Sequence, residues 1–277
     1  PIAAAGETAC SDPTVPQNLL AKMDAGGEMT LGALALARLR QTPGNVTVEV
    51  GSGWFGRTTG ARFARPISGP RFGYCRVYDR TFPAGGADPS SPTAFLDAGT
   101  SLPLSGPSLG QGTTLARAAS ALGPTYAFRP SAPFQAGLYT LTGNGGSAVG
   151  AFTASTNFPD NFNVTNWDSV TAIDRTKALA FNWTGSGFQR VTILFAASAV
   201  AGSNVRVVSL NCENIPASLG TYSIPPEALA YLLPGSVSLT IHAINQATFT
   251  APLVGGGQTD LGLFNADLGI TKTVPAQ

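Results

Sequence analysis

Val149-Gly150-Ala151-Phe152-Thr153-Ala154 and Leu261-Gly262-Leu263-Phe264-Asn265-Ala266 are near-copies of one another. Read at period two, Phe152, Ala154 and Phe158 share one face, as do Phe264, Ala266, Leu268 and Ile270. Period two is the signature of a strand with one side turned to a core. Each copy therefore reads as a core strand that ends a domain. The second lies almost at the C-terminus, so by analogy the first closes a domain near residue 155. That predicts two segments, 23–156 and 157–277, each near the size one core supports.

The same alternation recurs at short intervals along the chain. Val46, Val48 and Val50 follow the Pro43-Gly44-Asn45 turn, Tyr74 to Phe82 alternates, and Leu138 to Thr142 precedes Asn144-Gly145-Gly146. Further strands are expected near Leu179–Trp183, Arg190–Ala196, Val205–Cys212 and Val237–Ala247. Strands punctuated by Gly and Pro turns indicate sandwiches or barrels. Leu31 to Arg40 is rich in Ala and Leu and reads as helix or strand, while Pro226 to Leu233 reads as a helical turn stopped by Pro234. A second echo pairs Met23-Asp24-Ala25-Gly26 with Leu96-Asp97-Ala98-Gly99. There Asp24 and Asp97 are expected to bond their own turn backbones. The predicted fold is all-β, with two tandem Ig-like β-sandwich domains behind an extended N-terminal arm, residues 1–22.

Composition bears on chemistry. The chain has one histidine among 277 residues and only 15 acidic side chains, so tuned proton carriers are scarce. His242 shares a strand face with Ser238 and Thr240 and is expected to be exposed or at an edge; no G-x-S-x-G elbow accompanies it. Asp160, Asn161, Asn163, Asn166 and Asp168 form an oxygen-rich run without EF-hand spacing, which reads as a loop. No phosphate-binding fingerprint is present, and the chain is read as non-enzymatic, without a cofactor or metal. A net charge of +1 gives no field favouring nucleic acid. No apolar run reaches the roughly 18 residues that would insert a helix in a membrane.

Basic residues are biased to Arg, and eight of the 13 fall between Arg38 and Arg80, interleaved with aromatics. Two readings stand: a glycan- or polyanion-binding face using Trp54, Arg57, Arg62 and Arg65, or strands with Arg outward and aromatics inward. Cys10, Cys75 and Cys212 contain no CxxC pair and are too dispersed for a zinc site. A disulfide between Cys10 and Cys75, both in the first half, is expected, with Cys212 a buried free thiol on the parity of Val208 and Leu210.

The stretch Phe95-Leu-Asp-Ala-Gly-Thr-Ser-Leu-Pro-Leu-Ser-Gly-Pro, followed by Gly137-Leu-Tyr-Thr-Leu-Thr-Gly-Asn-Gly-Gly and by Asn182-Trp183-Thr184-Gly185, resembles uncharacterised secreted β-domain proteins of acidobacteria-like soil bacteria. The resemblance covers roughly residues 70 to 277. It implies an exported all-β protein and no activity or functional residues. The function expected from these readings is that of a non-enzymatic extracellular structural protein, a fibre, sheath or surface-layer subunit. It would self-associate into a homopolymer through strand edges and the N-terminal arm. The alternative is the extracellular glycan- or polyanion-binding module.

Overall fold

Leu34 and Leu36 alternate with Ala33, Ala35 and Ala37, and this alternation decides the ambiguous segment: Leu31 to Arg40 is strand, with both leucines buried. In the computed structural model, residues 19, 21–22, 25–59, 69–83 and 94–277 are described. The strands of the first half are β1 (Glu28–Gln41), β2 (Val46–Thr59), β3 (Arg71–Phe72), β4 (Cys75–Pro83), β5 (Ala94–Phe95), β6 (Ser101–Ser105), β7 (Thr114–Ser120), β8 (Gly123–Phe128), β9 (Gly137–Gly143) and β10 (Phe152–Phe158). The second half adds β11 (Asn161–Val164), β12 (Leu179–Ser186), β13 (Arg190–Ala201), β14 (Asn204–Pro216), β15 (Thr221–Ile224), β16 (Gly235–Phe249) and β17 (Leu261–Ala276). Among the described residues the protein is nearly all β, with a helical turn at Pro226–Leu229 where the sequence predicts one.

Strand pairing crosses the boundary expected after residue 156. The long sheet runs β10-β9-β6-β7-β8-β2-β1-β17-β16-β13-β14-β4-β3, and a second sheet runs β11-β12-β15. In it β1 lies parallel to β17, from Leu31 opposite Leu261 to Gln41 opposite Thr271. Likewise β4 lies antiparallel to β14, from Cys75 opposite Cys212 to Pro83 opposite Asn204. The consecutive halves 23–156 and 157–277 are thus interlocked rather than in tandem. Period two fixes which face a residue takes and leaves its neighbouring strand unspecified, so this pairing was not legible.

The cysteines are corrected on the same ground. Cys75 is bonded to Cys212, 137 residues away, and not to Cys10. Parity rightly buries Cys212, which is 0% exposed, but it is no free thiol. Cys10 lies outside the described residues.

Two cores result, and neither is a continuous segment. One, the tryptophan core, fills the gap between the β4-β14-β13-β16-β17 part of the long sheet and the β11-β12-β15 sheet. Phe181, Trp183, Ile193, Phe195 and Leu210 lie in it, with Trp167 at its border. At the other end of the molecule β10 packs back across β16 and β17. This phenylalanine core takes Leu34, Leu36, Phe55, Tyr126, Phe152 and Phe249. The hairpin of β16 and β17 serves both: Val237, Leu239 and Ile241 face the first, and Ala243 and Phe249 the second. On β17, Phe264, Ala266 and Leu268 face the phenylalanine core, and Ile270, Val274 and Ala276 the other. Both copies of the repeated hexapeptide therefore line one core, where the sequence placed them in separate domains.

Glycine has a packing role there. Phe55, Phe152 and Phe249 lie directly across from Gly32, Gly143 and Gly262 on the neighbouring strands. Their ring centroids are 5.0, 5.6 and 6.0 Å apart. A Cβ on Gly32 would stand 2.9 Å from the Phe55 ring, and one on Gly143 would overlap the Phe152 ring. Each ring thus lies down over a bare backbone, and the three meet at the centre. Pairs of this kind contribute about 0.5–1.5 kcal/mol each beyond area burial.

Candidate functional site

Among the described residues, the candidate ligand residues of the Arg-rich interval do not share one face. Along β2 the pairing with β1 runs without a register shift, so Trp54 and Arg57 take opposite sides. Trp54 is half-buried against Phe95, ring centroids 5.8 Å apart, and borders a small cluster on the outer face of the sheet. Arg57 is exposed, 3.7 Å from Glu28. Arg62 and Arg65 lie outside the described residues. Arg38 is structural: it meets Glu49 at 2.6 Å, donates to the Phe134 carbonyl and lies 5.5 Å over the Phe158 ring.

His242 is neither exposed nor at an edge. It sits on β16 between β13 and β17 with its side chain 20% exposed. Its Nδ1 lies 2.8 Å from Asp267 Oδ2, and Thr192, itself buried, stands opposite on β13. Asp267 shares the outer parity of β17 with Asn265, a signal that could have identified the partner once β16 and β17 were paired. The pair continues a row of polar contacts along the outer face of the hairpin. Gln246 Nε2 donates to Asn265 at 2.8 Å, and the hydroxyls of Thr240 and Thr271 are 2.8 Å apart. The carboxylate fixes the imidazole's orientation.

The oxygen-rich run is also spent on structure. Asn166 accepts from the Asn182 amide at 3.0 Å and donates to the Ala180 carbonyl at 2.8 Å, tying its turn to β12. Among the described residues no three His, Cys, Asp or Glu side chains are grouped to hold a metal. Asp97 behaves as the sequence predicts, accepting from the Gly99 amide of its own turn at 3.0 Å. That bond, with others from Ser147 and the charge of Arg117, holds the Asp97 carboxyl below the usual carboxylate range. Asp24 lies outside the described residues.

The inner end of the arm is seated on its own chain. Leu19 is 1% exposed among Met29, Leu31 and Leu261. Lys22 reaches Asp260 at 2.6 Å, and the other oxygen of Asp260 takes the Thr30 amide at 2.8 Å.

Within the Arg-rich interval, the β3–β4 turn, Phe72-Gly73-Tyr74-Cys75, gathers aromatic rings from distant parts of the chain. Gly73 holds φ +59, in the left-handed region. Phe72 meets Tyr231 at a ring-centroid distance of 6.0 Å, and Tyr74 meets Tyr222 at 5.7 Å. The Tyr222 hydroxyl accepts from the Tyr74 amide at 3.3 Å and lies 3.6 Å from the Cys75 sulfur. Burial pushes the Tyr222 phenol above its ordinary pKa, so it stays protonated. Tyr74 and Tyr231 are 39% and 47% exposed. Tyr222 and Tyr231 lie outside the Arg-rich interval, and only the assembled fold brings them to this turn.

No protein-family model matches the chain, and no curated protein matches it. Among solved structures, a titin tandem of Ig domains shares 10% identity over 91% of this chain and 100% of its own, with a TM-score of 0.15. An I-band fragment of titin shares 8% identity over 87% of this chain and 98% of its own, with a TM-score of 0.16. Among the described residues no helix is long and apolar enough to cross a membrane. The buried disulfide fits an oxidising environment.

Proposed function

We propose that the protein is a non-enzymatic structural subunit of an extracellular assembly, joined to copies of itself through strand edges and its N-terminal arm. One observation carries this reading: besides the terminal strands of the two sheets, two unlike stretches of interior strands have an open edge among the described residues, and both present valines. β16 accompanies β13 only as far as Ala197, so Ser198–Ala201 lack a strand on that side, and Val200 is 76% exposed. β8 pairs with β2 only at Gly51–Gly53, so Val46–Val50 lack one too, with Val46 and Val48 53% and 43% exposed. Open edges offer unpaired amides and carbonyls to another strand. Because the two edges are unlike, a contact between one on each copy is heterologous and can repeat without closing. No charged residue lies between Val191 and Asn204, which lowers repulsion at that tip.

In place of two tandem Ig-like sandwiches, the unit we infer is a two-core block on a shared hairpin. Extracellular placement rests on the disulfide and the low charge. Negative-stain electron microscopy and sedimentation of the chain, of a chain lacking residues 1–18 and of Val200→Lys test the proposal. Ordered polymers are expected for the intact chain, lost in the shortened one and weakened by the lysine. Monomers in all three samples, or polymers indifferent to both changes, would overturn it.

A further inference from the structure

Beyond the assembly reading, and standing whether or not copies assemble, the geometry points to a seat for residues 11–18 of the arm: a trough on the outer face of the chain's own long sheet. Leu19 marks its mouth. It is buried among Met29, Leu31 and Leu261, with Trp54 and Leu263 packed against them. These residues share the outer face, since Leu31 lies opposite Leu261, and Ala33 opposite both Trp54 and Leu263. From there the face continues along β1 as Ala33, Ala35 and Ala37, short half-buried side chains between taller ones. Trp54 and Val50 on β2 form one wall, and Leu263, Asn265 and Asp267 on β17 the other.

The occupant is argued from its sequence and its attachment. Ser11-Asp12-Pro13-Thr14-Val15-Pro16-Gln17-Asn18, outside the described residues, leads directly to Leu19. Two prolines three apart favour polyproline II, which has three residues per turn and no internal hydrogen bonds. Pro13, Pro16 and Leu19 then follow one stripe, so the seated side of Leu19 carries both prolines onto the same face. Eight residues in this form span about 25 Å, and the eight steps of β1 from Leu31 to Leu39 span about 26 Å. The backbone of β1 is already paired with β2 and β17, so the trough offers apolar surface and no ladder. Proline-rich segments suit such a surface and dock against aromatic rings, here Trp54. Attachment at Leu19 gives this segment a high effective concentration at the trough of its own chain. Residues 1–10 are then the part of the arm left to reach another copy.

Oxidative cross-linking tests this. A chain carrying Cys10→Ser, Pro16→Cys and Ala35→Cys is diluted until sedimentation shows monomers and is then mildly oxidised. Positions 16 and 35 should become linked within one chain in most molecules, as read by non-reducing gel and peptide mapping. No link, or a link only between copies, would overturn the proposal. Because Pro16→Cys itself removes a proline, acrylamide quenching of tryptophan fluorescence gives a second readout. Trp54 should be shielded in the intact chain and lose that shielding in a chain lacking residues 1–18, with Trp54→Phe assigning the signal. Equal quenching of Trp54 in the two chains would also overturn the seat. Sedimentation scores assembly separately: monomers at every concentration would count against the assembly reading and leave the cross-link and the quenching to decide the seat.

Discussion

The tryptophan core is filled by interlocking branched and aromatic side chains between two sheets and is closed by a covalent tie. The phenylalanine core is filled by three rings laid over glycines, with no covalent tie among its described residues. The difference is one of how each core is specified. In the first, chain halves distant in sequence are held by Cys75–Cys212, which lies between β4 and its partner β14. In the second, complementarity is local, ring to neighbouring glycine, and repeats three times. One core should therefore be sensitive to loss of a link and the other to gain of a single carbon.

The largest effect is expected from the link. Replacing Cys75 and Cys212 together by serine releases a loop of 137 residues, and chain entropy then gives a loss of about 5 kcal/mol. Denaturant unfolding of the oxidised protein and the double variant measures it. A loss below about 1 kcal/mol would mean that strand pairing alone holds β4 to β14. Next is Phe249→Ala, expected to cost about 4 kcal/mol, because Phe249 touches both other rings. Gly143→Ala should follow at about 2 kcal/mol, since its new carbon meets the Phe152 ring. Phe152→Leu in the same chain should recover part of that loss. Purely additive effects in this double-mutant cycle would refute the ring-over-glycine account.

The smallest effect concerns the Asp97 turn at the margin of the phenylalanine core. Its carboxyl is held below the usual range in the folded state, first by the Gly99 amide. The stability it contributes is therefore present above the ordinary carboxylate pKa of about 3.9 and is lost as pH falls through the lower, folded value. Asp97→Asn should cost about 1 kcal/mol at neutral pH, and the gap to the parent protein should shrink below about pH 4. A gap that stays constant with pH would assign the effect to packing.

Alternation made most strands legible, including those around Val205–Cys212 and Val237–Ala247, and even the face of Cys212. Leu31 to Arg40 stayed ambiguous because Ala and Leu favour helix, and tertiary pairing with β2 and β17 overrode that preference. What could not be read was adjacency. Cys75 gives no sign that Cys212 will lie opposite, nor does His242 announce Asp267 before β16 and β17 are paired. The repeated hexapeptide misled for the same reason: likeness of sequence marks likeness of role, and both copies serve one core. Trp54 and Arg57 are close in sequence but on opposite faces, while Tyr231, far from Phe72 in sequence, meets it at the β3–β4 turn.

The two halves of the chain are interlocked, and disulfide mapping can read that arrangement in a single experiment. Proteolysis of the unreduced protein, followed by mass spectrometry, should yield one linked peptide pair containing Cys75 and Cys212. A link between Cys75 and Cys10 would contradict the seating of β4 against β14, and with it the interlock at that end of the sheet.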